Sequence, residues 1–435
     1  MFTTFFSWFQ PIINAFKTPD LRKKILYTFF ILLIYRIGVA IPVPYIDAYN
    51  FSGILESNAG SMFEYLNLLS GSAFSMATLF ALGISPYITS SIVMQLLTVA
   101  IPALERLQKE GPEGQKKIAQ ITRYVTVALA LITSYGYYMM LSKYGLLTVE
   151  GFFPAIIIVT CYCAGSAIVM WFGERINEKG IGNGISIILF ANIVSGSFDA
   201  VTTIRNYFGK HTLMGYLTPI IAIIIGIAMI YFIVFITESE RRLPIVYAKR
   251  VIGRKMYGGQ NSNLPIKLNM SGVMPVIFAN SILAIPATLA MIITPKDGSF
   301  WDKTVNFLSS NSWFYPFILF VLIIAFGYFY ITISFNPIEV ANNLKNNGGS
   351  IPGIRPGRPT AEYITRVLNK ITLIGSLFLS VVAIAPIIAN IITDHAISGI
   401  AFGGTSLLIV VGVALETARD LAAQMSIRGY RGFLQ

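Results

Sequence analysis

GISIILFANIVSGS, residues 184–197, decides how often this chain crosses a membrane. Its apolar run, Ile185 to Val194, is ten residues long, about half of what a helix needs to traverse a bilayer core. It has a counterpart in LLIVVGVAL, residues 407–415, shorter still and preceded by Gly403, Gly404 and Thr405. Eight stronger runs surround the two: Ile25 to Val43, Phe74 to Ile101, Ile121 to Leu141, Phe152 to Phe172, Leu217 to Ile236, Val273 to Ile293, Trp313 to Phe335 and Ile371 to Ile392. Charge arbitrates, because short cytoplasmic loops concentrate Lys and Arg. With ten crossings and both termini cytoplasmic, only Lys143, Arg205, Lys210, Lys296 and Lys303 face outward and Arg36 lies in a span, while the rest of the 32 basic residues face the cytoplasm. With eight crossings, the basic loops after Ile236 and Phe335 would face outward. The charges select ten.

Composition agrees. The 435 residues are 55% hydrophobic and 12% charged, whereas soluble chains carry roughly a quarter charged residues, and the mean hydropathy is +0.67. A soluble globule is excluded. The runs are continuous rather than alternating, which argues for helices against a membrane barrel. The two weak runs are the fifth and the tenth, so each closes a set of five. Short or glycine-interrupted spans at matching places point to an inverted repeat with its path at the repeat interface. The expected organisation is a cytoplasmic interfacial segment, 1–24, with Phe2, Phe5, Phe6, Trp8 and Phe9 ahead of any charge. An N-terminal half, 25–201, an external connector, 202–216, a C-terminal half, 217–425, and a cytoplasmic tail, 426–435, follow. GSMFEYLNLLSGSA, residues 60–73, is too polar to span and too apolar for a free loop, so it is expected to fold back into the centre.

Reacting groups are scarce. The chain has no phosphate-binding G-x-x-x-x-G-K-[ST], no H-E-x-x-H and no G-x-S-x-G, so no enzymatic activity and no cofactor are expected. Cys161 and Cys163 point to different faces of one helix, and His211 and His395 lie far apart; no metal site is expected. Arg36 is the single charge in the core spans. It reads either as a pathway charge or, preferably, as the anchor of a helix pair within snorkelling reach of the outer surface, near Pro42 and Pro44. Thr89, Ser90, Ser91, Gln95 and Asn280 either line water or bond neighbouring helices. On residues alone a channel, a secondary transporter and an intramembrane protease all stay open, although a coupling-ion site or a catalytic dyad is not evident.

The cytoplasmic loops carry the strongest signal. TESERRLPIVYAKRVIGRKMYGGQNSNLPIK, residues 237–267, and NPIEVANNLKNNGGSIPGIRPGRPT, residues 336–360, are long, basic and rich in Gly and Pro. Such loops suit an anionic partner: ribosomal RNA, an acidic protein surface or anionic lipid headgroups.

Seven strings in order resemble one family: RIGVAIPVP (36–44), FALGISPYITSSIVMQLL (80–97), GERINEKGIGNG (173–184), RRLPIVYAKRVIGRKMYGGQ (241–260), NMSGVMPVIFANSI (269–282), GGSIPGIRPGRPT (348–360) and GGTSLLIVV (403–411). On these the chain is identified as similar to the SecY family, the channel-forming subunits of the bacterial Sec protein translocase. The resemblance implies an all-α membrane protein of ten transmembrane helices in two inverted five-helix halves around an hourglass pore, with a re-entrant plug helix at about 60–73. It implies a pore ring of Ile84, Ile88, Leu189, Ile193, Ile277 and Ile409, and a plug carrying Tyr65, Leu66 and Leu69. A lateral gate would open between spans two and three on one side and seven and eight on the other, with Thr89, Ser91, Gln95 and Asn280 at gate positions. Arg254, Lys255 and Arg355 would dock the ribosome and the SecA motor, within docking loops at about 237–268 and 336–370. The implied partners are SecE and SecG in a heterotrimer, SecA, the ribosome through its rRNA, signal peptides, nascent chains and anionic lipids, all at the bacterial plasma membrane. The chain departs from the family pattern at Leu69, Asn263, Asn280 and Asn342.

Overall fold

The computed structural model of the chain describes residues 16, 18–47, 51, 66–67, 69–208, 213–247, 250–252, 255–257, 261–292, 300–308, 312–392 and 404–431. In chain order the helices are α1 (Pro19–Val39), α2 (Ser85–Ala100), α3 (Pro102–Lys109), α4 (Pro112–Lys143), α5 (Phe152–Lys179), α6 (Gly184–Phe208), α7 (Leu213–Glu238), α8 (Met274–Ile292), α9 (Phe300–Phe307), α10 (Phe314–Ser334), α11 (Pro337–Asn346), α12 (Arg358–Ile392) and α13 (Gly404–Arg431). Each of the ten expected runs carries a helix. By length and hydropathy, five described helical segments suffice alone to cross a bilayer, in α4, α5, α7, α10 and α12, and the bent pair α2 and α3 makes a sixth. The chain is a multi-pass membrane protein. The weak fifth run is longer as a helix than its apolar core, since α6 continues to Phe208, and α6 and α7 occupy most of the expected connector.

Span two differs from its hydropathy. The run from Phe74 to Ile101 is not one helix: residues 71–84 form successive turns, with Gly71, Ser72, Ala77 and Gly83 at φ of 66°, 70°, 47° and 54°. Helix α2 starts only at Ser85, with Pro86 in its first turn, where a missing N–H costs nothing. Irregular backbone survives at membrane depth only where protein groups satisfy it. Here the hydroxyls of two fully buried tyrosines do so, Tyr137 donating to the Phe74 carbonyl at 2.6 Å and Tyr162 to the Ala77 carbonyl at 3.1 Å. The Leu79 N–H donates to the Ile41 carbonyl at 2.9 Å. Helix α5 backs onto these turns at Gly165, where an added Cβ would lie 2.0 Å from the Leu79 carbonyl oxygen.

The halves meet along two seams. Helix α8 packs against α2 and α4 on one side, and α6 packs against α7 and α13 on the other. At the end of α2 the chain turns by 99° at Ile101 into α3.

The basic segment 237–267 is not a loop but a hairpin. Strand β1 (Glu240–Tyr247) pairs antiparallel with β4 (Asn261–Lys267) and with the short β5 (Gly349–Ser350), while β2 (Arg250–Ile252) pairs with β3 (Lys255–Tyr257). Leu243 and Ile245 alternate inward along β1, as one buried face of a sheet requires. They join Ile266, Leu344, Ile351, Ile364, Leu368 and Ile371 in an apolar cluster of their own. The second basic segment contributes α11, capped by the Asn336 side chain, which accepts from the N–H groups of Ile338 and Glu339. The two basic stretches thus form one packed platform built on the first half of α12.

Candidate functional site: a closed aliphatic ring and its seams

Four elements, two from each half, supply the six expected ring residues. Ile84 stands at the N-cap of α2 and Ile88 one turn further along; Leu189 and Ile193 are one turn apart on α6; Ile277 lies on α8 and Ile409 on α13. The spacing of four puts each pair on one face of its helix. None of the six is more than 5% exposed, and all belong to a single apolar cluster where the halves meet. Leu69 is buried in the same cluster, whereas Leu66 packs against a neighbouring one with Phe51, Phe74 and Tyr137. Tyr65 lies outside the described residues. Six such side chains offer neither hydrogen bonds nor charge, so water and ions are disfavoured among them.

Two openings flank α2: one faces α8 and α4, the other lies among α2, α3, α4 and Ile333 of α10. Thr89 lines an apolar cavity of about 240 Å³, together with Leu66, Leu69, Ser281 and Ile285. Ser91 and Gln95 line a more polar cleft of about 320 Å³ with Tyr87, Gln108 and Gln115. Asn280 lines neither. It is buried, donates from Nδ2 to the Val276 carbonyl at 3.0 Å and accepts from the Tyr315 hydroxyl at 3.5 Å, so it ties α8 to α10 on its own side of the seam. The structure therefore brings Ser91 and Gln95 together, sets Thr89 in a separate cavity and bonds Asn280 to Val276 and Tyr315.

Of the expected docking residues, Arg254 lies outside the described residues and Lys255 opens β3. Arg355 is exposed in the turn before α12, and its carbonyl accepts from the Thr360 hydroxyl at 2.9 Å. Arg36 does not snorkel outward. Its guanidinium points inward from α1 to the carbonyls of Ala191 and Gly71, which makes it the anchor of α1 to α6. Beside it sits Asn192, fully buried, a residue that the sequence reading did not single out; its signal was an amide within a ten-residue apolar run.

The SecY family model matches residues 78–418. The chain belongs to the SecY family. The protein translocase subunit SecY of Streptomyces galbus is 44% identical over 437 residues, covering 97% of this chain and 99% of the relative. A solved protein-conducting channel superposes with a TM-score of 0.67 at 19% identity, covering 93% of this chain and 92% of that one. Sec61 in a canine ribosome–channel complex from the endoplasmic reticulum superposes with a TM-score of 0.63 at 18% identity, over 93% and 92%. The SecY family is one of channels rather than catalysts.

Proposed function

We propose that this chain conducts unfolded secretory polypeptides across the bacterial plasma membrane and releases hydrophobic segments sideways into the lipid. The observation that carries the reading is the ring: six aliphatic side chains from both halves, buried in one cluster at their junction. Such a waist fits any extended chain without selecting its side chains, since it makes no hydrogen bonds that depend on sequence. Residues 60–73, with Tyr65, Leu66 and Leu69, act as the plug on the outer side of the ring. The seam of α2 and α4 with α8 and α10 is the lateral gate, with Thr89, Ser91 and Gln95 along it. A signal peptide that binds the open gate better than the shut one shifts that balance.

The chain performs no covalent chemistry of its own, so work comes from a partner. The platform bearing Lys255 and Arg355, together with Arg254, docks the SecA motor or the rRNA of a translating ribosome; the likeness to Sec61 in a ribosome complex supports the second. SecE and SecG complete the heterotrimer, and anionic lipids meet the basic cytoplasmic face. Both termini are cytoplasmic, as the distribution of Lys and Arg requires. The test is reconstitution of the chain with SecE into liposomes, with SecA, ATP and a radiolabelled preprotein. Protease-protected preprotein is the expected result. An inserted complex on which SecA hydrolyses ATP without protecting any preprotein would overturn the proposal.

A further inference from the structure

Beside the ring, one polar cluster joins α1, α6 and the turn that leads out of the plug segment. Asn192 of α6 donates from Nδ2 to the Leu69 carbonyl at 2.6 Å and to the Tyr35 hydroxyl at 2.9 Å. The Tyr35 hydroxyl donates in turn to the Ser70 carbonyl at 3.5 Å. Arg36 reaches the Gly71 carbonyl at 3.5 Å and the Ala191 carbonyl of α6. Three successive carbonyls, Leu69, Ser70 and Gly71, are thus each held by a side chain from α1 or α6. They lie where helical backbone gives way to turns, so they are the acceptors a helix end leaves orphaned. The fit is close. Gly71 has a φ of 66°, and a Cβ there would lie 2.8 Å from Asn192 Oδ1 and 3.1 Å from Arg36 Nη1. Tyr35 is fixed by stacking on Phe80, with ring centroids 5.5 Å apart and planes 3° from parallel.

We propose that Tyr35, Arg36 and Asn192 are a latch: positioning residues that hold the exit of the plug segment against the ring and keep the idle channel shut. The inference rests on the channel reading above. Its physical logic is a two-state one. If residues 69–71 move away, the Asn192 amide, the Tyr35 hydroxyl and the Arg36 guanidinium each lose an acceptor in apolar surroundings, which is costly unless water replaces it. A closed ring supplies no water, and an open pore does. The latch therefore releases together with wetting of the pore and re-forms when the pore dries. Asn192 Oδ1 has no hydrogen-bond partner in the closed state, which leaves one acceptor ready for that water.

Asn192→Leu removes both amide bonds at nearly constant volume. With the complete complex in planar lipid bilayers, its resting open probability should exceed that of wild type by about tenfold or more. Tyr35→Phe, which keeps the stacked ring, should give a smaller rise. Arg36→Lys should leak less than Arg36→Met. Hydrogen exchange at the amides of Ser72, Phe74 and Ser75, bonded to Asn67 and Ser70, should accelerate in Asn192→Leu while α4 stays unchanged. Resting conductance and exchange at wild-type levels in Asn192→Leu and Tyr35→Phe, in channels that still open with a signal peptide, would overturn the latch and leave the channel reading standing. A wild type that never opens with a signal peptide would overturn the channel reading itself. Should Asn192→Leu fail to accumulate in membranes, Tyr35→Phe alone decides.

Discussion

Ile409→Asn tests the barrier most directly. Ile409 is 1% exposed on α13, inside the apolar cluster proposed above as the seal of the pore. Burying such a side chain stabilises the closed state by about 1.5–3 kcal/mol relative to exposure. An asparagine in its place forfeits that burial and adds an amide with no partner among aliphatic neighbours, at about 1–3 kcal/mol. In an open, wet pore neither penalty applies. Even the lower ends of both ranges narrow the gap between closed and open by about 2.5 kcal/mol, a shift of about 60-fold in the equilibrium. The assay is ionic current through single reconstituted complexes at rest, with Ile409→Leu as the volume-conserving control, which should stay near wild type. Wild-type resting current in Ile409→Asn, with the protein fully inserted, would refute the argument that an unbroken aliphatic ring is the seal.

Three further outcomes follow from the packing and the charges. Gly165→Ala sets a Cβ 2.0 Å from the Leu79 carbonyl; because the obstacle is backbone, stability should fall by about 2 kcal/mol, read as a lower temperature of thermal inactivation in detergent. Arg355→Glu should abolish SecA-driven export while the protein accumulates normally in membranes; export at the wild-type rate would remove this exposed residue from the docking surface. Arg241→Glu with Arg242→Glu on β1, both exposed, should weaken ribosome binding, more in low salt than in high. A deficit of equal size at every ionic strength would speak against an electrostatic contact.

Much of the architecture was legible before any coordinates. The distribution of Lys and Arg rescued the run around Leu189 and the one around Ile409, which hydropathy alone would have discarded, and both are helices that reach the ring. Hydropathy failed at Phe74–Gly83, because it scores apolar content and is blind to backbone: Gly71 and Gly83 take left-handed φ locally, and the buried hydroxyls of Tyr137 and Tyr162 that make the turns tolerable come from helices far along the chain. The hairpin was overlooked because its charges dominated, although Leu243 and Ile245 already alternate with exposed neighbours. Sequence leaves Asn280 free to line water or to bond a neighbouring helix, and its bonds run to Val276 and Tyr315, because a side chain's direction on a helix depends on packing that sequence spacing does not reveal. Arg36 lies within snorkelling reach of the outer surface by sequence, and only the folded positions of the Gly71 and Ala191 carbonyls explain why its guanidinium bonds inward.

Helix α12 spans 35 residues, a rod of about 50 Å at 1.5 Å per residue. Its first half is rooted in the platform through Ile364, Leu368 and Ile371, and its second half reaches the apolar cluster shared by the two halves through Leu379, Val382 and Ala383. Between them it is pinched twice: an added Cβ at Gly375 would lie 2.6 Å from the Leu268 carbonyl oxygen, and one at Gly327 of α10 would lie 2.0 Å from Ser376 Oγ. A rigid bar clamped near its midpoint is a lever with a fulcrum. On the docking proposed above, a push on the platform is passed toward the buried apolar cluster by one helix, held at its midpoint and interrupted in its second half by Pro386.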